Sequence, residues 1–282
     1  MKLFVFGFGY TALRVVEQSA GRFATISGTV RKPDKQDEMR RRGFDAFLID
    51  APDQAPIEAR IRDADVLLMS APPGRAGDPA LSSYRRAIAE SRARRVIYLS
   101  TIGIYGDHDG AWIDEDTPPA PRIERAKARA AAEAQWLATV GERLSILRLA
   151  GLYGPGRNAL IRLRNGTARR IVKPGQVFNR IHVDDAARAV VAAIAHPNGG
   201  LWNVCDDEPA PPQDVIAFAA QLLGIAAPPD EDFATAEQTP MARSFYATNN
   251  RIANTRLKRD LRVILRFPTY RAGLTHLLAS GD

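Results

Sequence analysis

The chain opens with Leu3-Phe4-Val5-Phe6-Gly7-Phe8-Gly9-Tyr10-Thr11-Ala12, and this stretch decides the fold. Leu3 to Phe6 is an unbroken apolar run, as a strand buried on both faces requires. Thr11 to Ala20 reads as the helix after it. Between them, Gly7 to Ala12 fits the pattern GxGxxG/A. The first glycine permits a tight turn, the second lets backbone approach a pyrophosphate, and small Ala12 lets helix and strand pack closely. A helix N-terminus offers N–H groups and the positive end of its dipole to phosphates. Gly7, Phe8, Gly9, Tyr10 and Thr11 are therefore candidate dinucleotide-binding residues; a tight turn without a ligand is the competing reading.

Outward from that turn, short apolar runs alternate with helix-period segments. Strands are expected at Phe23 to Val30, Ala46 to Ile49, Val66 to Ser70, Val96 to Ser100, Ser145 to Leu149 and Leu201 to Val204. Helices are expected at Ser82 to Arg92, Arg122 to Val140 and Asp185 to Ala195. This alternation predicts an α/β fold, a Rossmann-type doubly wound parallel sheet. Residues 154–180 are rich in Gly, Arg and Asn, and residues 206–282 carry proline clusters. The expected division is a dinucleotide-binding domain over 1–153, joined by sheet and helix elements from 181–205, with a small C-terminal substrate lobe from 154–180 and 206–282.

Composition sets the class. The 282 residues are 45% hydrophobic and 25% charged, ordinary for a soluble globular protein. No run approaches the roughly 20 apolar residues of a membrane span. The opening apolar stretch is broken at once by Gly7, Gly9, Arg14 and Glu17, which favours a buried strand over a signal peptide. A single cysteine, Cys205, excludes an internal disulfide and fits a cytoplasmic protein. The net charge of +7 is spread along the chain, which favours a basic surface or an acidic small molecule over nucleic acid. No metal site is expected.

The second strand ends at Val30, where an Asp or Glu would read the ribose of the unphosphorylated cofactor. Arg31-Lys32 stand there instead and suit a 2′-phosphate, so NADP is expected, with NAD as the alternative. Two solvated cations at a strand end is the plainer reading. Asp50, closing the third strand, is placed near the adenine or is a loop acid.

Five stretches then resemble the extended and atypical short-chain dehydrogenases/reductases, the epimerase/dehydratase type. They are Leu99-Ser100-Thr101-Ile102-Gly103-Ile104-Tyr105-Gly106, Arg148 to Gly156, Arg180-Ile181-His182-Val183-Asp184-Asp185, Asn203-Val204, and Pro268 to Leu274. The resemblance spans nearly the whole chain. It implies that Ser70, Ala71, Pro72, Ser100, Leu149, Gly151 and Leu152 line the cofactor. It makes Thr101 the catalytic Ser/Thr, or a strand-end hydroxyl tied to backbone. It makes Asp78 the counterpart of the family's helix asparagine, or an N-cap before Pro79. Asp184 and Asp185 are expected to cap the following helix.

The family's Tyr-x-x-x-Lys pair supplies its general acid/base. Counting back from Glu133 puts Arg125 and Arg129 at those two positions, and no tyrosine lies between Tyr105 and Tyr153. Guanidinium cannot shuttle a proton at neutral pH. Tyr105, Tyr153 and His182 are the remaining acid/base candidates, with structural roles as the alternative. In the lobe, Arg157, Asn158 and Arg180 are expected to grip an anionic substrate, by analogy with relatives that hold nucleotide-sugar phosphates there; plain surface arginine is the alternative. Two functions remain: an oxidoreductase or epimerase-like enzyme acting on an anionic, nucleotide-linked or other small molecule, and a non-catalytic NADP-binding redox sensor. The alanine-rich helix from Arg122 to Val140 allows a homodimer.

Overall fold

The computed structural model describes every residue except Ala20 and Arg75. In chain order the first elements are β1 (Lys2–Phe6), α1 (Tyr10–Gln18), β2 (Thr25–Val30), α2 (Pro33–Arg41), β3 (Asp45–Leu48), α3 (Ala55–Arg62), β4 (Val66–Met69), α4 (Pro79–Ala89) and β5 (Arg95–Thr101). Then come β6 (Trp112–Ile113), α5 (Glu124–Val140), β7 (Leu144–Leu149), β8 (Gly151–Tyr153), α6 (Ala159–Arg164), β9 (Arg170–Val172), β10 (Arg180–His182), α7 (Val183–Ala195) and β11 (Gly200–Val204). The chain closes with α8 (Pro212–Leu223), β12 (Asp230–Asp232), α9 (Pro240–Ser244), β13 (Arg251–Ile252), α10 (Thr255–Asp260) and α11 (Tyr270–Ala279). The Ala20 end expected for the first helix lies outside the described residues.

Strands β11-β7-β5-β4-β1-β2-β3 form one seven-stranded parallel sheet. Lys2 registers with Thr25 on one side of β1, and Leu3 with Val66 on the other. The chain winds outward from β1 through β2 to β3, then returns to β4 and winds the opposite way. The reversal lies between β1 and β4, the topological switch point where such sheets bind dinucleotides. Leu3, Phe4, Val5 and Phe6 are buried, as are all residues of β4. Phe4, Phe6, Ile57, Ile61, Tyr84 and Trp136 are among the residues that fill the core.

The contacts divide the described chain into two compact units, differently from the expected bounds. The first holds Met1–Ile104, Glu124–Arg148 and Ala187–Trp202; the second holds Tyr105–Ile123, Leu149–Ala186 and Asn203–Asp282. Residues 105–123, expected in the dinucleotide-binding domain, belong to the second unit because distant residues hold them. The Asn250 side chain donates to the Gly106 carbonyl at 2.8 Å and accepts from the His108 N–H at 2.8 Å. β6 pairs with β13 in parallel. The second unit packs its own core of Tyr153, Leu160, Ile216, Tyr270, Leu274 and Leu277.

Candidate functional site

The site is built where β1 and β4 end. Gly7 has φ of +90°, and a Cβ there would meet the Ala71 backbone N at 3.2 Å. The N–H groups of Ser70 and Ala71 both donate to the Phe6 carbonyl, at 3.0 and 2.8 Å, which holds the two loops side by side. Gly9 is the N-cap of α1, with no side-chain cap and no acidic residue in the first turn. Among the described residues the nearest atom to a Cβ on Gly9 would be Ser70 Oγ at 3.6 Å, so the backbone has room there. A pyrophosphate fits that arrangement: an uncapped helix N-terminus, no nearby carboxylate in the helix, and backbone open to approach. Phe8 contributes only backbone. Its ring is buried and stacks on Phe44, centroids 5.5 Å apart and planes 7° apart.

Arg31 and Lys32 follow β2 and are exposed, and among the described residues neither side chain has a hydrogen-bond or ion-pair partner. Lys32 is also the N-cap of α2, again without a side-chain cap. Asp50 is exposed in the turn after β3. Pro72 is exposed, and Ser70 and Ala71 half-buried, directly after β4.

At the end of β5 the chemistry departs from a proton relay. Thr101 Oγ1 accepts from the Gly103 N–H at 3.1 Å and retains its own O–H to donate. Ser100 is buried, with Oγ lacking a partner among the described residues. Arg125 and Arg129 lie one turn apart on α5, Arg125 exposed and Arg129 half-buried. Arg129 Nη1 donates to the Leu99 carbonyl and to Tyr98 Oη, the latter at 3.4 Å. Tyr98 is fully buried, and burial pushes its phenol up to about 12. Asp78 caps α4: Oδ1 accepts from the Ala80 and Leu81 N–H groups at 3.0 and 3.1 Å, and Oδ2 accepts from Trp136 Nε1 at 3.0 Å. Both oxygens are thus engaged by the fold, as the N-cap alternative requires.

The lobe-side residues all lie in the second unit. Leu149 precedes β8, which carries Gly151 and Leu152 and pairs with β10 in parallel; the Gly151 N–H donates to the Asn179 carbonyl at 3.1 Å. Of the three candidate substrate residues, only Arg157 is exposed. Asn158 is buried and caps α6, accepting from the Ile161 N–H at 3.1 Å and donating to the Gly154 carbonyl at 3.1 Å and to Asp282. Arg180 Nη1 donates to the Phe178 and Ala210 carbonyls at 2.8 and 3.0 Å. The acid/base candidates are similarly committed. Tyr105 is fully buried and donates to Asn203 Oδ1 at 2.7 Å. Tyr153 donates to the Thr269 carbonyl at 3.4 Å, and burial raises its phenol far above the ordinary range. His182 accepts the Asp184 N–H at Nδ1 and packs its ring on Phe267 at 4.1 Å. Asp184 and Asp185, expected as caps, lie inside the first turn of α7, and the Asp185 oxygens accept the distant Arg266 and Phe267 N–H groups, both at 2.8 Å.

Three residues escaped the sequence reading. Gly28 has no room for a side chain, since a Cβ would lie 2.2 Å from the Val5 carbonyl oxygen and 2.8 Å from the Phe8 ring. Tyr98 holds Arg129 from the neighbouring strand. Asp206 is buried with Oδ2 unpartnered among the described residues, and burial raises its carboxyl to about 8 despite the nearby Arg180 charge. The only local signals were a glycine inside an apolar strand and an acid between Cys205 and Asp207.

A family model described as NAD(P)H-binding matches residues 7–197, which covers both sides of the switch point. The chain belongs to that family, within the extended and atypical short-chain dehydrogenases/reductases. A conserved protein of unknown function from Silicibacter pomeroyi is 46% identical, with a TM-score of 0.90 and coverage of 99% of this chain and 98% of that one. A protein from Methylobacillus flagellatus, assigned as an NAD-dependent epimerase/dehydratase, is 26% identical with a TM-score of 0.74, covering 99% and 98%. The 3-diazoavenalumate denitrifying reductase of a Streptomyces species is 34% identical over 151 residues, 49% of this chain and 48% of that protein.

Proposed function

We propose that the chain is an NADP(H)-dependent oxidoreductase that acts on an anionic small molecule. One observation carries the reading: the dinucleotide cradle at Gly7 to Tyr10 is followed, at the end of β2, by two exposed cations and no carboxylate. Arg31 and Lys32 can each make a charge-assisted hydrogen bond to a 2′-phosphate, and the first carboxylate after β2, Asp34, stands only in the first turn of α2. A bound dinucleotide supplies a hydride or accepts one at its nicotinamide. The protein's part is to hold the phosphates on α1, hold the 2′-phosphate at Arg31-Lys32, and present fixed positive charge at Arg125 and Arg129. Those two cations favour an anionic substrate over a neutral sugar or alcohol. The reductase name of the Streptomyces relative supports oxidoreductase chemistry over cofactor sensing alone.

The test is deuterium transfer from NADPH labelled at the reactive carbon, offered with matched carboxylate-bearing and uncharged acceptors. Label should appear in the carboxylate-bearing product. Binding of NADPH with no label transferred to any acceptor would instead mark a redox sensor.

A further inference from the structure

The carboxyl end of β5 and the turn of α5 bearing Arg125 and Arg129 hold an unusual mixture of groups. Thr101 keeps an O–H to donate. Arg129 is anchored through Nη1 by the Leu99 carbonyl and Tyr98, leaving Nε and Nη2 without a protein partner among the described residues. Arg125 stands one turn before it, and side chains four apart share a helix face. These groups are donors, and two of them are permanently charged. A guanidinium cannot release its proton at neutral pH, and Thr101 has no adjacent base among the described residues. The three side chains that could have moved a proton, on Tyr105, Tyr153 and His182, are buried and engaged elsewhere. The arrangement can stabilise negative charge as it forms; it cannot deliver a proton to it.

We infer that Arg125, Arg129 and Thr101 form an oxyanion cradle for the reduction of a carbon–carbon double bond conjugated to a carbonyl or carboxylate. The inference rests on the oxidoreductase reading and names its substrate class. The acceptor's β-carbon takes the hydride as the C–H bond of the reduced dinucleotide breaks and a new C–H bond forms. The acceptor's π electrons move onto its oxygen, giving an enolate, and the oxidised dinucleotide remains. Arg125, Arg129 and Thr101 hold that enolate oxygen. Water then protonates the α-carbon, so no side chain has to act as an acid. Reduction of an isolated ketone is different, because its charge localises on one alkoxide oxygen, a far stronger base than the delocalised enolate oxygen, so hydride transfer there gains more from a general acid that these donors do not supply. A preformed cationic acceptor is disfavoured by the two guanidinium charges.

Acetylacrylate and levulinate are matched probes: both are keto acids, and only the first has a conjugated double bond. With NADPH, acetylacrylate should be consumed and levulinate should accumulate unreduced. Deuterated dinucleotide in ordinary water should label the carbon β to the ketone, next to the carboxylate, and unlabelled dinucleotide in heavy water should put deuterium on the carbon α to the ketone. Arg125→Ala and Arg129→Ala should each lower kcat by about 10²–10³-fold, with partial rescue of Arg129→Ala by added guanidinium. In cofactor-free protein, maleate, whose paired carboxylates mimic the charged product, should bind at least about tenfold more weakly to each variant by calorimetry. Reduction of levulinate as fast as acetylacrylate would overturn the cradle while leaving the oxidoreductase standing. So would arginine variants with undiminished kcat and maleate affinity. Failure of every probe to take label would remove both readings.

Discussion

Three glycines near the phosphate turn are constrained for three different reasons. Gly7 sits at φ +90° against Ala71, so a side chain there strains the backbone and meets its neighbour. Gly28 lies under the Phe8 ring and beside the Val5 carbonyl; Gly28→Ala should cost about 2–4 kcal/mol or misfold the chain, measured by urea denaturation. Gly9 meets nothing closer than 3.6 Å. Gly9→Val should therefore leave stability within about 0.5 kcal/mol of the parent, while the added methyls occupy the path of the pyrophosphate and abolish dinucleotide binding. A Gly9→Val protein that binds normally would place the phosphates elsewhere. Asp206 has its own signature, dominated by burial and opposed by Arg180, with Glu208 and Asp207 adding to the rise. Its folded carboxyl lies near 8 against an ordinary value of 3.8, so the folded state holds the proton more tightly. The stabilising contribution is complete below about pH 4 and is lost as pH rises through 8. Asp206→Asn should be more stable than the parent at pH 9 and nearly indistinguishable at pH 4, by denaturant midpoint. Equal midpoints at pH 9 would mean that Asp206 ionises there without penalty.

At the scale of elements, legibility followed the strength of the apolar pattern. β1, β4 and β5 were readable because every residue or nearly every residue in them is buried. α2 was missed because its sequence, Pro-Asp-Lys-Gln-Asp-Glu-Met-Arg-Arg, buries Met39 alone; a helix with one anchoring side chain has no periodicity to detect. α3 hid for a similar reason, burying Ile57 and Ile61 among charged residues. α4 begins at Pro79, ahead of the expected Ser82, because Asp78 caps it and Pro79 fits the first turn. The glycine turn was legible because glycines at fixed spacing carry a backbone requirement in their identity. The commitments of Asn158 and Arg180 were not, since their partners at Asp282 and Ala210 are remote in sequence. One pairing fastens α5 to the sheet: Arg148 and Glu133 form a buried two-bond ion pair at 3.2 and 2.8 Å. Glu133→Ala would strand the guanidinium away from water and should cost about 3–5 kcal/mol. A loss under about 1 kcal/mol, the range of exposed pairs, would show that water reaches Arg148.

Across the whole molecule, the chain visits each of the two compact units three times, so neither corresponds to a continuous piece of sequence. The boundary after Ile104 was illegible because what assigns residues 105–123 to the second unit is Asn249, Asn250 and β13, more than a hundred residues later. No described helix is long and apolar enough to cross a membrane. Cofactor binding on the first unit should raise the unfolding temperature of that unit: ligand at a hundred times its Kd contributes about 2.7 kcal/mol. The measurement that bears most directly on the account is a calorimetric titration of NADPH and NADH into the unmodified protein and into Arg31→Asp. NADPH should bind the unmodified protein about tenfold or more tightly, since one charge-assisted hydrogen bond is worth about 1.5–3 kcal/mol. Arg31→Asp should erase or reverse that order. Equal affinities of the unmodified protein for the two dinucleotides would contradict it.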